Sequence, residues 1–107
     1  MYWSVWRNQL EKALERIGEK ARIEVNGCEL AIYNNECEER LYCVQYSPHR
    51  YRFDIDFSYI PLHDLPRSRQ WGNDDLIGFL IQDDDVTVVV HTQQRFRLGD
   101  KAILLCD

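Results

Sequence analysis

Apolar residues near the start of the chain recur at steps of three and four: Trp3, Trp6, Leu10, Ala13, Leu14 and Ile17. That spacing predicts a helix over 3–17 with these side chains on one stripe. Asn8, Glu11, Lys12, Glu15, Arg16 and Glu19 fall on the other side, and Gly18 stands where helices commonly end. Trp3 and Trp6 are expected as core anchors of that helix.

From Arg22 the period changes to two. Arg22-Ile23-Glu24-Val25 and Cys28-Glu29-Leu30-Ala31-Ile32 flank Asn26-Gly27, a strong hairpin signal. A two-residue turn there sets Val25 opposite Cys28 and Ile23 opposite Leu30 on one inward face, with Glu24 and Glu29 on the wet face. Tyr33-Asn34-Asn35-Glu36 reads as a turn, 39–46 as a third strand, and Ser47-Pro48-His49 as a second hairpin turn. The run at 50–57 then alternates strictly. Tyr51, Phe53, Ile55 and Phe57 point inward, while Arg50, Arg52, Asp54 and Asp56 point outward.

Pro61, Pro66, Gly72 and Asn73-Asp74-Asp75 make 58–75 irregular. A loop of that length is often functional or holds a short helix. Leu76–Ile81 could be a helix capped by Asn73-Asp74-Asp75. A strand is favoured, because Asp83-Asp84-Asp85 then turns into the β-branched run at Val86–Val90. Leu98-Gly99-Asp100 reads as another turn, and 102–106 as a closing strand. The whole chain, 1–107, is expected to be one α+β domain. An N-terminal amphipathic helix would pack on a mostly antiparallel sheet of about six to seven strands.

Composition supports a folded domain and limits its partners. At 107 residues, 45% hydrophobic and 29% charged, the chain has globular proportions. A net charge of −5 opposes general attraction to nucleic acid or to an anionic membrane. No apolar run approaches the ~20 residues that span a bilayer. The start lacks the basic and apolar regions of a signal peptide. A cytoplasmic protein with its four cysteines as free thiols is therefore expected.

Each candidate chemistry meets a plainer explanation. Cys28, Cys37 and Cys43 lack the closely paired spacing of zinc sites, so no metal or other cofactor is expected. Cys37 is flanked by Glu36, Glu38 and Glu39, whose charges disfavour a thiolate nucleophile; Cys106 reads as core. His63-Asp64 are adjacent, but adjacency in a loop is not catalytic geometry, and no hydrolase or phosphate-loop motif occurs. An enzyme is not expected.

Three Arg-x-Arg pairs remain: Arg50/Arg52, Arg67/Arg69 and Arg95/Arg97. On strands such pairs share a face. Arg50, Arg52, Arg95 and Arg97 could thus form a basic surface for phosphates, or could pair with carboxylates on neighbouring strands. Asp74-Asp75 and Asp83-Asp84-Asp85 could dock a basic partner, or simply solubilise turns.

The favoured expectation is a small acidic protein-binding module without catalysis, such as an inhibitor or regulator of a nuclease or defence effector. Its protein partner could be a basic, nucleic-acid-binding one. The expected docking residues are Trp71, Asp74, Asp75, Asp83, Asp84, Asp85, Arg67 and Arg69. A nucleic-acid-binding module using the four strand arginines is the alternative. A homodimer formed through the end strands at 22–26 or 102–106 is a separate possibility.

Overall fold

The computed structural model describes residues 1–65, 75–90 and 94–105. The elements run β1 (Tyr2–Trp6), α1 (Arg7–Ile17), β2 (Lys20–Tyr33), β3 (Glu38–Asp56), β4 (Leu76–Gln82), β5 (Asp85–Val90), β6 (Gln94–Asp100) and β7 (Ile103–Leu105). Two short 3-10 turns, Phe57–Tyr59 and Leu62–Asp64, follow β3. The seven strands pair antiparallel in the order β2-β3-β1-β4-β5-β6, and β7 returns to β3. Among the described residues the sheet dominates, and the one α-helix is preceded by a strand.

The chain start corrects the expected helix at 3–17. Tyr-Trp-Ser-Val-Trp is aromatic and β-branched, a composition that suits strands. Residues 2–6 pair one by one with Leu80 back to Leu76. Trp3, Ser4 and Val5 are consecutive and fully buried, which a sheet covered on both faces allows and an amphipathic surface helix does not. Trp3 remains a core anchor, its ring edge-on to Tyr51, whereas Trp6 is half-buried at the helix entry. The helix buries Leu10, Ala13 and Ile17 and ends at Gly18, with φ at 92°.

The second correction concerns both expected hairpin turns in 22–57. Asn26-Gly27 and Ser47-Pro48-His49 are not turns but facing irregularities within one long hairpin. Its real turn is Asn34–Cys37, where the Asn34 side chain accepts from the Glu36 and Cys37 amides. From Asn26↔Arg50 to Glu29↔Tyr42, β2 advances three residues and β3 advances eight. β3 therefore bulges strongly, and Gly27, at φ 59°, supplies the left-handed conformation on the facing strand.

The bend is large. A straight strand as long as β2 would span about 43 Å, more than the 38 Å longest dimension of the molecule. Yet its two ends meet. Asn34 donates to the Ile17 carbonyl at 2.8 Å, and Tyr33 lies against Arg22. Burial alternation changes phase across the bend, from Ala21, Ile23 and Val25 to Leu30 and Ile32. Both halves thus turn their apolar faces to the same core. Cys28, expected inward, is exposed at the bend.

Elsewhere the alternation holds. Tyr51, Phe53, Ile55 and Phe57 are buried, and Phe53 meets Phe79. Leu76–Gln82 is a strand, as favoured. Asp83, at φ 58°, and Asp84 form its turn into β5. Leu98-Gly99-Asp100 is not a turn but the end of β6, with a register shift beside Gly99. Trp3 and Phe53 occupy the core where a deep ligand pocket would have to lie.

Arg7 is the residue whose burial the sequence pattern conceals. Only 1% exposed, it opens α1 and reaches under the segment after β3. Its Nη2 donates to the Leu62 and Leu65 carbonyls, and ion pairs join it to Glu11 (3.5 Å) and Asp75 (3.7 Å). Its amide donates to the Asp75 carbonyl at 2.7 Å. Removing one partner of such a buried network strands the others without compensation. Arg7→Ala is expected to lower stability by about 3–5 kcal/mol in urea unfolding. Arg7→Lys should recover only part of that loss, because an ammonium lacks the planar fork of donors.

Candidate functional site

The acidic turn between β4 and β5 is divided in its roles. The Asp83 and Asp84 side chains are exposed, as expected. Asp85 is half-buried and receives a two-pronged contact from Arg97, with oxygens at 2.7 and 3.0 Å. The Asp84 carbonyl accepts the amides of Lys101 and Ala102, both at 2.9 Å, and so anchors the passage from β6 to β7. Asp75 departs from the expected docking set. It is 2% exposed and turned onto Arg7, with its Oδ1 accepting from the Leu76 amide. Trp71, Asp74, Arg67 and Arg69 lie outside the described residues.

Two of the four candidate strand arginines, Arg50 and Arg97, pair with carboxylates on neighbouring strands. Arg50 pairs with Glu24 at 3.3 Å across β2 and β3, and Arg97 pairs with Asp85 across β5 and β6. Arg22–Asp54 and Arg40–Glu29 repeat this cross-strand pairing. The two candidate pairs sit on different strands, β3 and β6, and half of their charge is matched by carboxylates.

Cys43 is the half-buried thiol of β3. Burial, then the neighbouring Cys28 and Glu29, push the Cys43 thiol up to about 11. That opposes a thiolate at neutral pH. Among the described residues no three His, Cys, Asp or Glu side chains are grouped to hold a metal ion. His63 sits against Glu11 at 3.3 Å, but it is 80% exposed at the side chain.

One exposed apolar feature has no signal in the sequence pattern. Tyr42, Val44 and Tyr46 occupy alternate positions on the bulged part of β3 and are 74%, 47% and 60% exposed. The same strand supplies its own comparison, because its later outward positions are Arg50, Arg52, Asp54 and Asp56. β3 thus changes from a charged outer face to an aromatic one at the bend. Bulges re-aim side chains and recur beside functional sites. Leu41, Tyr42, Cys43, Val44 and Tyr46 make 41–46 apolar on both faces, which in sequence resembles a wholly buried strand.

Two grooves open among the described residues. One, of about 400 Å³, lies where the bent hairpin's ends meet, between Lys20, Arg22, Tyr33, Asn34, Asp54, Asp56 and Lys101. The other, of about 520 Å³, separates α1 from the 3-10 segment. No helix among the described residues is long and apolar enough to cross a membrane. Comparison with protein-family models, with curated proteins and with solved structures finds no match.

The Cys43 environment makes a pH-dependent prediction. Alkylation of Cys43 in the folded protein should be slow at pH 8 and accelerate as pH rises toward about 11. In urea the same residue should react readily at pH 8. Peptide mapping after iodoacetamide treatment checks this. Equal rates in both states would contradict the burial. Because the folded state holds this proton more tightly, the site's contribution to stability falls as pH rises from about 9 to about 11.

Proposed function

We propose that this chain is a non-catalytic protein-binding module, an inhibitor or regulator, that docks its partner through the outer face of β3 at Tyr42, Val44 and Tyr46. The observation that carries this reading is the change of face along one strand. Outward charged residues at 50–56 give way to three outward apolar side chains at 42–46. Tyrosine supplies rigid contact area with a polar tip, and it is enriched among residues that dominate binding energy. Contiguous exposed apolar side chains mark interaction sites more often than scattered ones do.

Asp83 and Asp84 are exposed on the β4–β5 turn, and exposed charge steers encounter more than it adds affinity. A basic, nucleic-acid-binding protein remains the favoured partner chemistry for an acidic chain. The nucleic-acid alternative has weaker support, because Arg50 and Arg97 are matched by Glu24 and Asp85.

The test is affinity capture from the native host with the full chain and with Tyr42→Ala/Tyr46→Ala. A discrete protein held by the native chain should bind the variant at least about 30-fold more weakly, a hot-spot loss of ~2 kcal/mol or more. Asp83→Asn/Asp84→Asn should chiefly change the salt dependence. Equal capture by the tyrosine variant would overturn this reading. So would salt-dependent retention on heparin that Arg50, Arg52, Arg95 and Arg97 to Ala abolishes.

A further inference from the structure

The groove between α1 and the 3-10 segment combines an apolar floor with an acidic rim. Leu14 and Gly18 of α1 face Phe57, Ile60, Pro61 and Leu62 across it. Phe57, Ile60 and Leu62 are themselves buried, so the floor is continuous with the core. Around this floor stand four carboxylates: Glu11 and Glu15 one turn apart on α1, Glu19 just past its end, and Asp64 opposite. Among the described residues the groove is lined by no lysine or arginine, and His63 is the one titratable base there.

The rim charges are not equivalent. Glu11 is engaged, with Arg7 at 3.5 Å and His63 at 3.3 Å. Glu15, Glu19 and Asp64 are exposed and project beside the groove. Glu11 and Glu15, four apart on α1, repel each other weakly, and Glu19 and Asp64 add to the same negative rim. Their common field is favourable only to a cation entering between them. A simple ion does not account for the apolar floor, and the described carboxylates are not grouped for metal ligation. A lysine or arginine side chain matches both parts, since its aliphatic stem covers apolar surface while its charged head reaches the rim. The volume suits one or two such side chains with an aliphatic neighbour.

We infer that this groove is a docking site for a basic peptide segment of a partner protein, a stretch carrying lysine or arginine next to an aliphatic residue. Its apolar side chain seats on Leu14 and Pro61, the lining residues that keep apolar surface open to solvent, and its cations meet Glu15, Glu19 and Asp64. This site is separate from the β3 face, and the inference does not rest on that face being an interface.

The test begins with a random displayed peptide library selected on the immobilised full chain. Enriched sequences should combine lysine or arginine with aliphatic residues. Synthetic copies are then titrated by fluorescence anisotropy against three variants. Glu15→Gln/Glu19→Gln should weaken binding about tenfold, as loss of close charge pairing does. Asp83→Asn/Asp84→Asn removes the same charge elsewhere and should change affinity less than about twofold. Tyr42→Ala/Tyr46→Ala should leave it unchanged, which separates this site from the β3 face. Amide shifts on peptide addition should fall in 11–19 and 57–64.

Enrichment of neutral or acidic peptides, or none above the bare support, would overturn the inference. So would equal weakening by the two charge-removing variants, or displacement of the peptide by spermine at equal concentration, which would make the site one for small cations.

Discussion

The bend in the β2–β3 hairpin is the constraint on which the rest of this structure depends. Strands of 14 and 19 residues are too long for a molecule whose greatest dimension is 38 Å. The chain resolves this by folding the hairpin over at Gly27 and its surplus partner residues. Both halves then bury apolar side chains: Ile23 and Val25 from one, Leu30 and Ile32 from the other. At roughly 1.5–3 kcal/mol for each such side chain, this shared burial far exceeds the cost of a few missing ladder hydrogen bonds. The return of Asn34 to the end of α1 and the contact of β7 with β3 follow from the same bend.

The bend also places what the protein shows to solvent. On the outside of a corner the longer strand has residues to spare, and those of β3 include Val44 and Tyr46. They lie opposite no β2 residue. Arg7 fixes a second region by holding the carbonyls of Leu62 and Leu65 and the carboxylate of Asp75 to the start of α1. One wall of the acidic groove is therefore pinned by a buried cation, while the other is the helix itself.

How much of this was legible in the sequence depended on whether local pattern and tertiary pairing agreed. They agreed at Tyr51–Phe57, at Val86–Val90 and at the Asp83–Asp84 turn, where period-two alternation and turn chemistry point the same way. They conflicted at Trp3 and Trp6, whose spacing of three mimics a helical stripe although β4 pairs with that segment residue by residue. Asn26-Gly27 misled differently. Glycine's left-handed conformation serves a bulge as well as a turn, and only the partner strand decides which. Gly99 repeats this at Leu98-Gly99-Asp100.

The candidate sites were less legible than the fold. Asp83 and Asp84 were placed on the surface correctly, but Asp75 in the same composition class is buried, because its partner Arg7 lies 68 positions away in the chain. Tyr42, Val44 and Tyr46 were invisible as a surface because Leu41 and Cys43 beside them are also apolar. The acidic groove needs α1 and the 3-10 segment together; Glu11, Glu15 and Glu19 alone read as the wet side of a helix.

The central claim, that this chain works by docking a protein on the outer face of β3, is tested most directly by photo-crosslinking in the native host. Benzoylphenylalanine placed at Tyr42 should give one discrete protein adduct, and the same group at exposed Asn35, on the hairpin tip, should not. An equal set of adducts from both positions, no adduct at Tyr42, or an adduct to nucleic acid there would contradict it.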